Sequence, residues 1–271
     1  MMTSRAAPTV LPNGAPARRE VPEEVAVALT CNGTTQAVMM ATPADLTDFA
    51  YGFLLTEGIA DPGEVVSVEP VATPGGIDVQ IWLTAGAGAR LAARRRSRAG
   101  PVGCGLCGID SLEEATRPVA PVPVSALRLT AEQVRQAMAA LAPAQALHIA
   151  TRAAHAAGFW VPGQGMVAVR EDVGRHNALD KLAGALAGTG GSAGAVVLTS
   201  RVSLDMVQKC ARLGAPVLIA AAAPTSAALD AARAAGITVV ACARGARFEI
   251  FTHPGRIGPE TAGVGDVPYV A

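Results

Sequence analysis

Apolar and polar residues alternate in the first third of the chain, and a longer rhythm takes over after residue 125. EVAVALTCNG and QAVMMA each place apolar residues at every second position around Asn32-Gly33, which predicts two strands joined by a tight hairpin. In ATPADLTDFAYGFLLTEGI, Leu46, Phe49, Ala50, Phe53 and Leu54 share one helical face. Thr42 suits the cap there, Pro43 the first helical position and Gly58 the stop. EVVSVEPV and GIDVQIWL read as a second hairpin across Ala72-Thr73-Pro74-Gly75. An arginine run follows at 90–98, and Ser111 with Glu114 resembles a capping box.

The segment from Pro118 to Ser125 is proline-rich and reads as a crossing between halves. Beyond it lie a helix from Thr130 to Leu141 and then a regular succession: GMVAVRE, HNALDKLAGALAG, AGAVVLT, SLDMVQKCARLG, APVLIAA, TSAALDAARAAG, ITVVACA and RFEIFTH. Strands of about six apolar residues alternating with helices predict an α/β fold, a mainly parallel sheet with flanking helices. The expected organisation is a disordered tail over 1–20 and a β-rich N-terminal subdomain over 21–125, with one helix and a CxxC loop. A C-terminal α/β subdomain over 126–271 completes it.

Composition narrows the function. The 22 basic and 22 acidic residues cancel, so no global field favours nucleic acid or an anionic membrane. The longest apolar run, Ala215 to Ala223, stops at Pro224, short of the ~20 residues a membrane span requires. The opening MMTSRAAPTVLPNGAPARRE lacks the continuous apolar region of a signal peptide, and five cysteines, at 31, 104, 107, 210 and 242, do not make a disulfide framework. A reducing, cytoplasmic setting is expected. Only Lys181 and Lys209 are lysines, so the arginine clusters partly reflect a compositional bias.

PVGCGLCGID is the most chemically pointed stretch. Cys104 and Cys107 stand three apart among Gly103, Gly105 and Gly108. A structural zinc site needs four ligands, and the other cysteines stand alone. The zinc-deaminase signature needs an upstream HxE, and no histidine precedes His148. Thioredoxin-type dithiols sit at a helix start, whereas this pair sits in a glycine loop. A persulfide carrier needs an accessible thiolate, which Arg90, Arg94, Arg95, Arg96 and Arg98 would favour, and glycines give such a carrier mobility. Plain surface thiols remain the alternative at this point.

Three other stretches fall where a strand runs into a helix or turn. EDVGRHNALDK carries Glu171, Asp172, Arg175, His176 and Asp180, which suit either a ligand site at a strand's carboxyl end or a helix cap with ion pairs. TSRVSLDMVQK places Ser200, Arg201 and Ser203 at a turn suited to anions. ARGARFEIFTHPGR carries Arg244, Arg247, His253 and Arg256, without the spacing of a nucleotide P-loop. Three such turns on one sheet edge would make a single pocket. His155, in TRAAHAAG, reads as an ordinary helical or loop histidine.

ATPADLTDFAYGFLLTEGI, CGLCG, EDVGRHNALDK, SRVSLDMVQK, APTSAALDAARAAG and ARGARFEIFTH together resemble the formate dehydrogenase accessory sulfurtransferases, the FdhD family, over about residues 24 to 253. The resemblance implies a cytidine-deaminase-like fold without the deaminase zinc, and therefore no metal ligands. It implies a homodimer that takes persulfide sulfur from a cysteine desulfurase. That sulfur passes to the molybdenum cofactor, Mo-bis(molybdopterin guanine dinucleotide), as bound acceptor before its insertion into formate dehydrogenase. It places the persulfide on Cys104, with Cys107 as helper or second carrier. Cofactor binding would fall to Cys242, Ala243, Arg244, Gly245, Ala246 and Arg247, joined by Arg175, His176, Ser200 and Arg201. Many members read GFxR where this chain has Ala241-Cys242-Ala243-Arg244, and paired glycines where it has Arg152-Ala153 before His155. The competing reading is a non-catalytic chaperone that only binds the cofactor.

Overall fold

The computed structural model describes residues 2–97 and 119–258. The elements before residue 98 are β1 (Ser4–Val10), β2 (Pro16–Pro22), β3 (Val25–Cys31), β4 (Thr34–Ala41), α1 (Leu46–Thr56), β5 (Val65–Thr73), β6 (Gly76–Leu83) and α2 (Ala85–Ser97). After residue 119 come α3 (Ala131–Leu141), α4 (Ala146–Thr151), β7 (His155–Val161), β8 (Gly165–Asp172) and α5 (Arg175–Ala185). β9 (Ala195–Leu198), α6 (Leu204–Leu213), β10 (Val217–Ala220), α7 (Ser226–Ala235), β11 (Thr238–Arg244) and β12 (Arg247–Ile250) complete the described chain.

The N-terminal elements form a four-stranded sheet in the order β4-β3-β6-β5. Asn32 and Gly33 both adopt positive φ, 47° and 75°, which is the twist a two-residue hairpin between β3 and β4 requires. Val27, Leu29, Ile77, Val79 and Ile81 point to one face and bury against Phe49, Phe53 and Leu54 of α1 and Ala87 and Leu91 of α2. Helix α1 starts at Leu46, three residues after the expected position, because Thr42 is committed elsewhere: its backbone and hydroxyl bond to the β8–α5 turn.

The first hairpin differs from expectation. Residues 4–20, expected within a disordered tail, instead belong to a hairpin in full antiparallel register from Ser4↔Pro22 to Val10↔Pro16. Most of its side chains are exposed, so hydrophobic alternation carries no signal there; Arg19 Nη2 donates to the Thr151 carbonyl of α4 at 3.3 Å.

The second sheet has six strands in the order β12-β11-β10-β9-β7-β8. Helices α5, α6 and α7 cover one face through Leu179, Leu182, Met206, Val207 and Ala232, while α3 covers the other through Val134 and Leu141. The central strands are therefore buried on both faces, and Val196 and Leu198 face α5–α7 while Val197 faces α3. In this sheet the expected parallel pairing is confined to β9, β10 and β11, and its other described pairings are antiparallel. Three residues join β7 to β8 and two join β11 to β12, far too few for a parallel crossover.

Helix α1 joins the two parts. Its Gly52 lies against the Asp180 carbonyl of α5, and Gly184 of α5 lies against the Asp48 carbonyl of α1, so a Cβ at either position would collide with backbone. Two ion-pair clusters flank this contact, built on the chain's two lysines, Lys181 and Lys209, which are 0% and 7% exposed. Among the described residues no helix is long and apolar enough to cross a membrane.

Candidate functional site

Strands β8 and β9 both run antiparallel to β7, which lies between them, so both end at the edge where β7 begins. β10 and β11 run parallel to β9 and end there too. Helices α5 and α6 start at this edge directly after β8 and β9, which points their N-terminal N–H groups and positive dipole ends toward it. Most of the expected site residues gather here.

Arg175 and His176 form the first turn of α5 behind Gly174. The Arg175 Nε and the Ser203 hydroxyl at the cap of α6 are buried without a hydrogen-bond partner among the described residues. His176 Nε2 stands 3.5 Å from Asp205 Oδ2 in the first turn of α6, so the two helix starts meet through this pair. That contact, reinforced by Lys209 and Arg175, holds the Asp205 carboxyl below its ordinary value. Asp205 was not singled out in the sequence; an acid in a first turn reads as a common complement to the helix dipole. Ser200 is buried and donates to the Arg201 carbonyl at 3.0 Å, whereas the Arg201 side chain is exposed.

His155 is neither helical nor in a loop: it opens β7, opposite Asp172 of β8. Burial, then Arg175 and His148, push its imidazole below the ordinary value and keep it neutral around pH 7. Arg244 reaches the same edge from β11, with Nε donating to the Ala221 carbonyl beyond β10 at 3.2 Å. Cys242 sits in a bulge at φ 53°, half-buried, where a non-glycine backbone is held at a cost. Ala243 does not reach the edge surface: it is 3% exposed and packs in the core on the α3 side. Gly245, Ala246 and Arg247 form the exposed turn into β12.

The other described thiols are unsuited to chemistry. Burial pushes Cys31 to about 11 and Cys210 to about 12, so both stay protonated. Cys104 and Cys107 lie outside the described residues, as does the 98–118 segment around them. Of the arginines expected to activate them, Arg90 is committed to Glu64 in an exposed ion pair at 2.7 Å on α2.

The fold and this edge define a class: an α/β protein whose anion-suited edge sits at the carboxyl ends of its strands, in a chain that also carries a CxxC pair. Comparison with known proteins gives that class a family. The model of the FdhD/NarQ family matches residues 22–258, and the chain belongs to that family. It is 54% identical to the "Sulfur carrier protein FdhD" of Agrobacterium fabrum over 258 residues, covering 93% of this chain and 95% of that one. It is 49% identical to the protein of the same name from Cupriavidus necator, covering 90% and 85%. The solved structure of a formate dehydrogenase accessory protein from Desulfotalea psychrophila superposes with a TM-score of 0.73 at 26% identity, covering 94% of this chain and 98% of that one.

Proposed function

We propose that this chain is a sulfurtransferase that serves formate dehydrogenase in the cytoplasm. A thiolate at Cys104 attacks the outer sulfur of a cysteine desulfurase persulfide. The new S–S bond forms on Cys104, the donor's S–S bond breaks, and the donor leaves as a thiolate, so sulfur moves with no net redox change. Cys107 acts as helper or second carrier. The acceptor is the molybdenum cofactor in its bis(molybdopterin guanine dinucleotide) form, held at the carboxyl edge by Arg175, His176, Ser200, Arg201 and the turn from Cys242 to Arg247.

The observation that carries this reading is the division of labour among the cysteines. Cys31 and Cys210 are buried and protonated, which leaves the glycine-flanked pair as the thiols fit for exchange beside half-buried Cys242. The convergence of α5, α6 and Arg244 on one edge supports an anionic acceptor, since helix N-termini and guanidinium groups both favour negative charge. The names of the relatives, sulfur carrier proteins, agree with it. The test is Cys104→Ala: it retains GDP binding, GDP standing for the guanine nucleotide part of the acceptor, and fails to activate formate dehydrogenase. Full activation by that variant would instead leave a chaperone that only binds the cofactor.

A further inference from the structure

The turn that presents Arg175 and His176 rests on a buried node. The Asp172 side chain is 0% exposed and accepts four hydrogen bonds. Oδ1 takes the Gly174 N–H at 2.8 Å and Asn177 Nδ2 at 3.0 Å. Oδ2 takes the Thr42 N–H at 3.0 Å and Lys181 Nζ at 2.6 Å. Lys181 in turn donates to the Thr42 carbonyl at 2.9 Å and lies over the Phe49 ring at 5.7 Å. Thr42 Oγ1 accepts from the Val173 N–H at 3.2 Å, and Asn177 Nδ2 also donates to the Met40 carbonyl at 2.9 Å. Residues 173 and 174, the last two before Arg175, are thus pinned through their backbone N–H groups, one of them by a side chain from the N-terminal sheet's exit. A Cβ at Gly174 would meet Asn177 Nδ2 at 2.9 Å, so the Asn177 side chain would have to shift.

The second lysine makes a matching cluster in a different place. Lys209 Nζ donates to both Asp180 oxygens at 2.8 and 3.0 Å, to Glu57 at 2.8 Å and to Thr56 Oγ1 at 3.1 Å, while Thr56 donates to Asp180 at 2.7 Å. Desolvation opposes the Lys209 charge, yet Asp180 and Glu57 outweigh it and lift its pKa above the ordinary value. This cluster also ties α1 to α5, but it meets α5 at Asp180, more than a helical turn past Arg175.

We propose that Thr42, Asn177, Asp172 and Lys181 are positioning residues that set Arg175 and His176 for the ligand, whereas Thr56 and Asp180 hold the helices together. Ligand affinity at the carboxyl edge therefore depends on a residue of the N-terminal part that lies outside the edge itself. The proposal rests on the reading of that edge as the guanine nucleotide site.

Two near-isosteric variants separate the roles, because Thr42 and Thr56 are equally buried, 1% and 2% exposed, and each serves one cluster. Thr42→Val and Thr56→Val are compared for melting temperature, for GDP affinity by calorimetry, and for the His176 ring signals by NMR. Both melt a few degrees below wild type. Thr42→Val weakens GDP at least fivefold and moves the His176 signals; Thr56→Val changes affinity less than twofold and leaves them in place. Thr42→Ser, which keeps the hydroxyl, restores affinity. Asn177→Ala, which leaves the Lys181 ion pair intact, gives the same pattern as Thr42→Val and decides the question should that variant not fold. Equal effects of the two valine variants on affinity and on His176, or none from Thr42→Val, would overturn the proposal. If wild type binds no GDP, the nucleotide reading fails, and the His176 signals alone decide the positioning claim.

Discussion

The two ends of the six-stranded sheet both carry arginines, and they use them in opposite ways. At the amino ends of the strands lies a cleft of about 500 Å³ whose walls include Arg128, Arg233, His253 and Arg256. Its arginines are spent on the fold. Arg256 Nη1 donates to the Gly236 carbonyl at 2.7 Å, capping the C-terminus of α7, and to Thr238 Oγ1 at 3.1 Å, while Arg233 pairs with Asp230 at 2.8 Å. A helix C-terminus supplies negative potential, so cations there are compensated. At the carboxyl ends the helices arrive N-terminus first, and Arg175 and Arg244 add to positive potential that Asp205 partly offsets near α6. This cleft is therefore the poorer anion site of the two ends. The direction of the helices decides.

This contrast is broken first by removing charge from the carboxyl edge. Arg175→Gln combined with Arg244→Gln should cost GDP about 1.5–3 kcal/mol of binding per lost charge-assisted contact, tenfold or more in affinity each. Melting temperature should change little, since the one hydrogen bond given up, from Arg244 to the Ala221 carbonyl, is exposed. Calorimetry with thermal melts on the same samples reads both, and a large loss of stability with unchanged affinity would reverse the assignment of the edges. At the amino edge the opposite split is expected: Arg256→Ala gives up two hydrogen bonds and should cost about 1–2 kcal/mol in urea unfolding, with GDP affinity unchanged.

A smaller effect sharpens the comparison through His155. Its folded pKa lies below the ordinary value of about 6.5, so the unfolded chain binds more protons between the two values. The stability it contributes is full above about pH 6.5 and is lost as pH falls through the folded value. Urea midpoints recorded between pH 7.5 and 5.5 should decline, and His155→Gln should flatten the decline; an unchanged slope in the variant would remove His155 as a source.

Much of this was legible in the sequence where one force dominated. The Asn32-Gly33 turn follows from backbone sterics alone, and the runs AVVL and VLIA follow from burial on both faces. EDVGRHNALDK does lie at a strand's carboxyl end, and its ion-pair reading holds in the buried pairs Asp172–Lys181 and Asp180–Lys209. Arg175 and His176 face the edge, while Asp172, Asn177, Asp180 and Lys181 are buried beneath it. HAAGFWV escaped notice as a strand because its small residues do not distinguish strand from helix, and so His155 was misplaced. The role of Thr42 was hidden for another reason: its partners lie about 130 residues away, and a threonine before Pro43 looks like a cap in any sequence.

The central claim is that sulfur travels on the CGLCG pair, and mass spectrometry tests it most directly. The full-length protein is incubated with a cysteine desulfurase and cysteine, digested without reductant, and its cysteine peptides are weighed. The account predicts one added sulfur, about 32 Da, on the peptide containing Cys104 and Cys107. The adduct should be removed by dithiothreitol and absent from the Cys31 and Cys210 peptides, whose thiols burial keeps protonated. An unmodified CGLCG peptide under conditions where the desulfurase itself carries persulfide would contradict it.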